Sequence, residues 1–495
     1  MNLPSYFLAD LPPEAVLSPA MVTEACQTLK RNRAQYLAQR STDNLVGVLC
    51  DVAEEWLKPD NAFRRLALEQ TWNAGLRHGA DGIMGNAVPE AGAPGPVFSR
   101  ATLEKGLDNF FHQFTPENFH ALLVQELGDA VSVTGDGCHV TGEAVSPRHS
   151  PAEPKLPSES WSPVTRHFWR GPELLVHITA GNLPNPALMS IVLGLLTRSA
   201  QFVKCAHGAE FLPRLFAHSI YAADAKLGAC LEIAEWRGGK VDLETALFAE
   251  ADCVTATGSD ETLAAIRARL PAKTRFLGYG HRVSFGFVDS AVWHGSNTRQ
   301  IISHVTDDVV AWNQLGCLSP HVIYVQSGGK VSPEQFAEML ADELERREQI
   351  EPRGELATEH AAVIASRRAF YEVRAAAQAE GLGTLMWHSR NSTAWTVVYE
   401  ADPRFQLSCL NRFVYVKGVK DLHEMLQNAE SVRDKVSTVG IAAPERKAGE
   451  LAEQLARWGV TRVCPLGRMQ NPPLTWRHDG RPALGDLITW TDLEI

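Results

Sequence analysis

The 495-residue sequence predicts an α/β protein made of two α/β domains, with a mostly helical region before them and a strand at the C-terminus. Two patterns carry this expectation. From residue 173 onward, short β-branched runs alternate with amphipathic helical stretches, as in a parallel sheet covered by helices. Before about residue 130, apolar residues instead recur at helical spacing.

The N-terminal region, residues 1–150, contains helical stretches at PAMVTEACQTLKRNRAQYLAQR, NLVGVLCDVAEEWL and SRATLEKGLDNFFHQFTPENFHALLVQEL; Phe110, Phe111 and Phe114 are expected in its core. The stretch VSPRHSPAEPKLPSESWSP, residues 145–163, reads as a connection or surface excursion, because Pro and Ser both interrupt regular ladders. Residues 151–285 then form a first α/β domain. Its elements are strand LLVHIT, helix NPALMSIVLGLLTRS, strand QFVKCA, a helix over 211–229, strand LEIAEW, helix LETALFAEA, strand CVTATG and helix DETLAAIRARL. A second α/β domain, residues 286–475, follows with WNQLGCLSPHVIYV, one long charged helical stretch from 332 to about 380, strands TAWTVVYE and NRFVYVKG, and helix DLHEMLQNAESV. Residues 476–495 supply a structured loop and the final strand.

Bulk properties narrow the function. With 45% hydrophobic and 21% charged residues the chain can build two or three substantial cores. A net charge of −11 disfavours a broad nucleic-acid contact surface while leaving room for a local basic pocket that holds one phosphorylated ligand. The nine cysteines are scattered and include no C-x-x-C pair, so neither a disulfide framework nor a metal site is expected, and a reducing cytoplasm fits best. The opening MNLPSYFLADLPPEAVL lacks the basic start and apolar core of a signal peptide, and no long apolar run follows, so neither secretion nor a membrane span is expected.

Ligands of parallel sheets bind beyond the carboxyl ends of the strands, here the loops AGNLP (180–184), KCAHG (204–208) and TGSDE (257–261). Neither G-x-G-x-x-G nor a P-loop is present, so a dinucleotide would be held by another grip. Cys317 lies between a helix-like approach and the apolar run HVIYV. Taken alone, it reads first as a buried thiol, since most buried thiols are inert and only a positioned thiolate reacts.

The ordered set changes that reading. Asn182 in GNLP, Lys204 in QFVKCA, Gly258 and Ser259 in TGSDE, and Cys317 beyond Gly280 in GYGHR together resemble the aldehyde dehydrogenase superfamily. The resemblance implies that Cys317 attacks a carbonyl and that Asn182 and the Cys317 amide hold the oxyanion. It also implies that Thr179, Gly181, Lys204, His207, Gly258, Ser259 and Gly280 surround a nicotinamide dinucleotide. More narrowly, TGSDETLAAIR, GYGHRVSF and CPLGRMQNPPLTWRHDGRP are similar to the LuxC-type acyl-CoA reductases, over roughly residues 95–495.

Two departures from the superfamily pattern sharpen the expectation. Its L-E-L-G-G segment carries a Glu that activates water for thioester hydrolysis, whereas FLGYGHR has Leu277 or Gly278 near that place. An acyl-cysteine without that base would persist until reduced, which favours making aldehyde from an acyl thioester. The acidic residue that usually follows the Lys by three positions is His207, which would not repel a 2'-phosphate, so NADPH is expected. His281 and His321 are further proton-shuttle candidates, and Trp476, Arg477, His478 and Asp479 could line the acyl or carrier side. Expected partners are acyl-CoA or another acyl-carrier thioester, an acyl-protein synthetase, and further copies of the chain. Two alternatives remain open: a CoA-acylating aldehyde dehydrogenase running oxidatively, and a non-catalytic subunit of a reductase complex.

Overall fold

The computed structural model describes residues 3–12, 14–69, 98–128, 131–132, 165–293, 297–377 and 383–494. The Pro- and Ser-rich stretch 145–163 lies outside these residues. Helices α1 (Pro19–Asn32), α2 (Thr42–Leu57), α3 (Ala62–Glu69), α4 (Arg100–Phe111) and α5 (Pro116–Leu127) make up the N-terminal region. Four start where the sequence supplies a cap: Ser18, Ser41, Ser99 and Thr115 each accept a hydrogen bond from the amide three residues on. Strands β1 (Val131–Ser132) and β2 (Thr165–Arg170) follow.

The next unit alternates β3 (Leu174–Ile178), α6 (Asn185–Leu196), β4 (Ala200–Cys205), α7 (Phe211–Ala223), α8 (Ala225–Gly228), β5 (Leu231–Glu235), α9 (Val241–Glu250), β6 (Cys253–Thr257), α10 (Asp260–Arg267) and β7 (Arg275–Tyr279). Its five strands are all parallel, in the order β5-β4-β3-β6-β7. The order reverses between β3 and β6, which opens a crevice at their carboxyl ends. The helix expected over 211–229 is broken at Asp224, whose extended backbone ends α7 and whose carboxylate caps α8 and pairs with Arg40.

The remaining strands and helices are β8 (Val283–Val288), α11 (Asn297–Val310), β9 (Pro320–Gln326), α12 (Pro333–Ile350), α13 (Thr358–Ala376), β10 (Thr384–His388), β11 (Thr396–Glu400), β12 (Phe413–Val419), α14 (Leu422–Asn428), β13 (Val436–Ala442), α15 (Glu445–Trp458), β14 (Arg462–Pro465) and β15 (Thr489–Glu494). Seven strands form one sheet in the order β10-β11-β12-β9-β8-β13-β14, parallel except for β10. The single charged helix expected from 332 to 380 is two helices, because Pro352 and Gly354, at φ +90°, cannot continue it. A small third sheet, β1-β2-β15, carries the C-terminal strand antiparallel to β2.

Apolar packing ties the N-terminal helices to the five-stranded sheet. Trp56 stacks on Phe111 at 5.0 Å and donates through its indole to Ser219 on α7 at 2.8 Å. Phe110, Phe111 and Phe114 lie in this same core, as the periodicity predicts. No described helix is long and apolar enough to cross a membrane.

Candidate active site

Cys317 sits at the entrance to β9, the middle strand of the seven-stranded sheet. Of the eight cysteines among the described residues, it alone is not fully buried. The chain reaches it through an unusual turn in which Trp312, Asn313 and Gln314 hold φ values of +50°, +52° and +66°. Such backbone costs of order 1–3 kcal/mol per residue and persists only where its surroundings enforce it. Here Asn313 donates to Arg353 O and accepts from Arg412 Nε, and Gln314 donates to Pro320 O.

Other contacts fix the residues on either side of the thiol. Ser284 Oγ on β8 donates to the Cys317 carbonyl at 2.8 Å and accepts from the Thr438 amide on β13, so two neighbouring strands set one backbone position. Gln470 Nε2 donates to Ser319 Oγ at 2.6 Å. Gly316 allows close approach: a Cβ there would lie 2.9 Å from Gln470 Oε1 and 3.1 Å from Leu183 Cδ1. Asn182, on the loop after β3, donates from Nδ2 to Leu315 O at 2.9 Å. The structure thus brings Asn182 and Cys317 together across the two large sheets.

The electrostatics at the thiol are mixed. Burial pushes the Cys317 thiol up to about 12. The Asp479 carboxylate adds to that rise, and Arg282 and Arg462 oppose it. Leu277 is packed in a small core with Leu175, Cys253 and Leu487, and a Cβ on Gly278 would meet Phe276 and Leu263. The strand-end position therefore presents no carboxylate, but one comes close from the C-terminal loop. Arg282 Nε donates to Asp479 Oδ2 at 3.0 Å, and His478 stacks on Tyr279 at 4.5 Å. The Trp476 ring packs tilted against His478 at 4.7 Å, while Arg477 pairs with Glu126 on α5.

The two histidine candidates fare differently from that loop. His321 is buried, held neutral with its pKa lowered to about 4 by burial, and bonded on Nδ1 to the Ser408 amide. Such a ring serves the fold. His281 is lowered by burial first and then by the nearby Lys435 charge.

The remaining expected site residues gather at the carboxyl ends of the five-stranded sheet. Thr179 and Gly181 follow β3, and the Thr179 amide donates to Lys204 O at 3.1 Å. Gly258 and Ser259 follow β6; Ser259 caps α10 by accepting from the Thr262 amide. Gly280 follows β7, where a Cβ would lie 2.6 Å from Asp260 Oδ1. Lys204 is buried, with its ammonium 5.8 Å from the Trp236 ring and, among the described residues, no hydrogen-bond partner. A cation at a crevice lined by small residues suits a dinucleotide.

His207 has a partner that the sequence did not show. It hydrogen-bonds the Glu235 carboxylate at the end of β5, and the Gly208 amide donates to the same oxygen at 3.1 Å. An anion absent three residues after Lys204 is supplied from the neighbouring strand instead. Only sheet pairing puts positions 207 and 235 together, so linear spacing gave no sign of it.

The chain is similar to known proteins over much of its length. Residues 159–490 match the family described as acyl-CoA reductase (LuxC). A long-chain acyl-protein thioester reductase of Vibrio harveyi is 23% identical over 344 residues, covering 68% of each chain. Long-chain acyl-protein thioester reductase 2 of Photobacterium leiognathi is 22% identical over 324 residues, 64% of this chain and 63% of the relative. The matched stretch thus spans about two thirds of these relatives' length. Among solved structures, a glyceraldehyde-3-phosphate dehydrogenase of Methanocaldococcus jannaschii complexed with NADP aligns at TM-score 0.61 and 13% identity, over 97% of this chain and 95% of that one. An NAD-dependent benzaldehyde dehydrogenase of Corynebacterium glutamicum aligns at TM-score 0.63 and 12% identity, over 97% and 91%. At these identities the likeness shows the fold alone, and that fold is aldehyde dehydrogenase-like. With the family match running through both large sheets and the loop that reaches Cys317, the chain belongs to the acyl-CoA reductase (LuxC) family.

Proposed function

We propose that this chain reduces an acyl thioester, carried by coenzyme A or by a protein, to an aldehyde with NADPH, through an acyl-Cys317 intermediate. The observation that carries the reading is Cys317 itself: the one described cysteine not fully buried, set by Ser284 and reached by Asn182 through Leu315. The first large α/β unit, β3 to β7, holds the cofactor, and the second, β8 to β14, holds the nucleophile.

Cys317 Sγ displaces the carrier thiol from the acyl carbon. Asn182 Nδ2 has two N–H groups; one is spent on Leu315 O and the other is free to hold the oxyanion beside the Cys317 amide. When bound, the reduced nicotinamide supplies the hydride that takes the acyl carbon to the aldehyde level. Collapse then returns Cys317. The strand-end position lacks a water-activating carboxylate, which supports the reductive direction over hydrolysis. At the adenosine end, His207 and the Gly208 amide occupy one oxygen of Glu235 with hydrogen bonds, and the buried Lys204 supplies a cation for a 2'-phosphate.

A homo-oligomer in the cytoplasm completes the reading. β15 is an exposed edge strand that leaves Trp490 and Leu493 in solvent, a surface suited to pairing with another chain. Cys317→Ala tests the function: NADPH-dependent thioester reduction should vanish while NADPH binding, measured by fluorescence, stays within a few-fold of wild type. Turnover retained near the wild-type rate would refute the assignment.

A further inference from the structure

Asp479 occupies a strained, buried position that the chemistry above leaves unused. Its φ of +53° is a left-handed conformation uncommon for residues other than glycine. The loop is held there by Arg477 on Glu126, by His478 stacked on Tyr279, and by Arg282 Nε on Asp479 Oδ2 at 3.0 Å. The side chain is 5% exposed. Its other oxygen, Oδ1, is buried and has no hydrogen-bond partner among the described residues. His478 Nε2 stands 3.9 Å away, and burial lowers that imidazole toward its neutral form.

A buried carboxylate oxygen without a donor is costly. Here the backbone is strained to place it, and the chain entering β8 ties it to the thiol's segment: Arg282, which holds Asp479 Oδ2 at 3.0 Å, stands two residues before Ser284, which bonds the Cys317 carbonyl at 2.8 Å. Its charge adds to the rise that burial imposes on the thiol. The other charged groups around the thiol are Arg282 after β7 and Arg462 on β14, and Arg481 on the same loop as Asp479 lies over the Tyr279 ring on which His478 stacks.

We propose that Asp479 is the proton acceptor for Cys317 during acyl transfer, a role that rests on the thioester chemistry of the preceding section. Asp479 Oδ1 takes the thiol proton as Sγ bonds to the thioester carbonyl carbon. The carbon–sulfur bond to the carrier breaks, and the proton passes from Asp479 to the departing carrier sulfur. No electrons are gained or lost, and the site returns to its starting charge. The relay answers two costs of a buried site: a thiolate beside a carboxylate is disfavoured, and so is an unneutralised leaving thiolate. No hydrogen bond joins Oδ1 to Sγ here; such contacts commonly tighten once substrate is bound.

The test compares two reactions of Cys317 in the full chain between pH 6 and pH 9: acylation by an acyl-CoA without cofactor, followed by intact mass, and alkylation by iodoacetamide. In the wild type, acylation should be nearly flat with pH, because the proton goes to Asp479. In Asp479→Asn, which tolerates the left-handed backbone, acylation near neutrality should fall about 100-fold and become steeply pH-dependent. Alkylation of that variant should be as fast as wild type or faster, because it needs only the thiolate and a negative neighbour is gone. Asp479→Glu keeps a carboxylate and should keep the flat profile. A steep wild-type or Asp479→Glu profile, an unchanged Asp479→Asn acylation rate, or acylation and alkylation falling together would overturn the proposal. So would wild-type hydrolysis of the acyl-enzyme that disappears in Asp479→Asn, which would make Asp479 a water activator. If wild-type Cys317 forms no adduct at all, the thioester reading itself fails.

Discussion

Replacing Asn182 by Ala removes two different things, and the structure separates them. One Nδ2 hydrogen anchors Leu315 O at 2.9 Å, two residues before Cys317. Losing that bond should lower stability by about 0.5–1.5 kcal/mol. The second hydrogen is the one assigned to the oxyanion that forms when the acyl carbon becomes tetrahedral. Oxyanion donors are worth roughly 2.7–4 kcal/mol in the transition state, so the rate of thioester reduction should drop by about 100- to 1,000-fold. The interaction develops with the reaction, so kcat should fall more than KM rises. Stopped-flow single-turnover oxidation of NADPH, alongside urea unfolding, reads both quantities. A rate loss under threefold, or a loss carried wholly by KM, would refute the oxyanion role. A rate loss with no change in stability would instead refute the anchoring role.

Two further expectations follow from the site. His207→Ala removes the ring that engages Glu235; if the adenosine binds as proposed, the released carboxylate can accept from a ribose hydroxyl and the NADPH-to-NADH ratio of kcat/KM should fall by roughly tenfold. An unchanged ratio would show that this pair does not set cofactor choice. Cys317 should be alkylated by iodoacetamide roughly tenfold faster per pH unit between pH 7 and pH 9, because burial and Asp479 raise the thiol and the reactive thiolate is scarce at neutrality. A plateau reached near pH 7 would mean that the thiol is depressed, against the sign worked out here.

How much of this was legible in the sequence depends on the range of the contact. The alternation of β3 through α10 is written locally, in β-branched runs and in caps such as Ser259, and it is readable. The site residues Asn182 and Cys317 were legible as an ordered set, although the contact through Leu315 that unites them was not. Breaks needed finer attention: Asp224 and the Pro352–Gly354 turn split two stretches that look continuous by periodicity. Residues acting on the site across sheets left no local signal at all. Ser284 looks like any polar residue in a strand, yet it bonds the Cys317 carbonyl only because β8 pairs with β9. Glu235 meets His207 through the pairing of β4 with β5. Asp479 stood among four candidates in WRHDG; its selection rests on the left-handed backbone and the orphaned oxygen, which only coordinates reveal.

The central claim, an acyl-Cys317 intermediate, is tested most directly by intact-mass spectrometry and peptide mapping of the wild-type chain incubated with an acyl-CoA and no cofactor. One acyl group should appear per chain, mapped to Cys317, with one equivalent of coenzyme A thiol released, and adding NADPH should discharge it as aldehyde. Aldehyde formation on adding NADPH with no acyl group ever found on Cys317, or with the group mapped to another residue, would contradict the account.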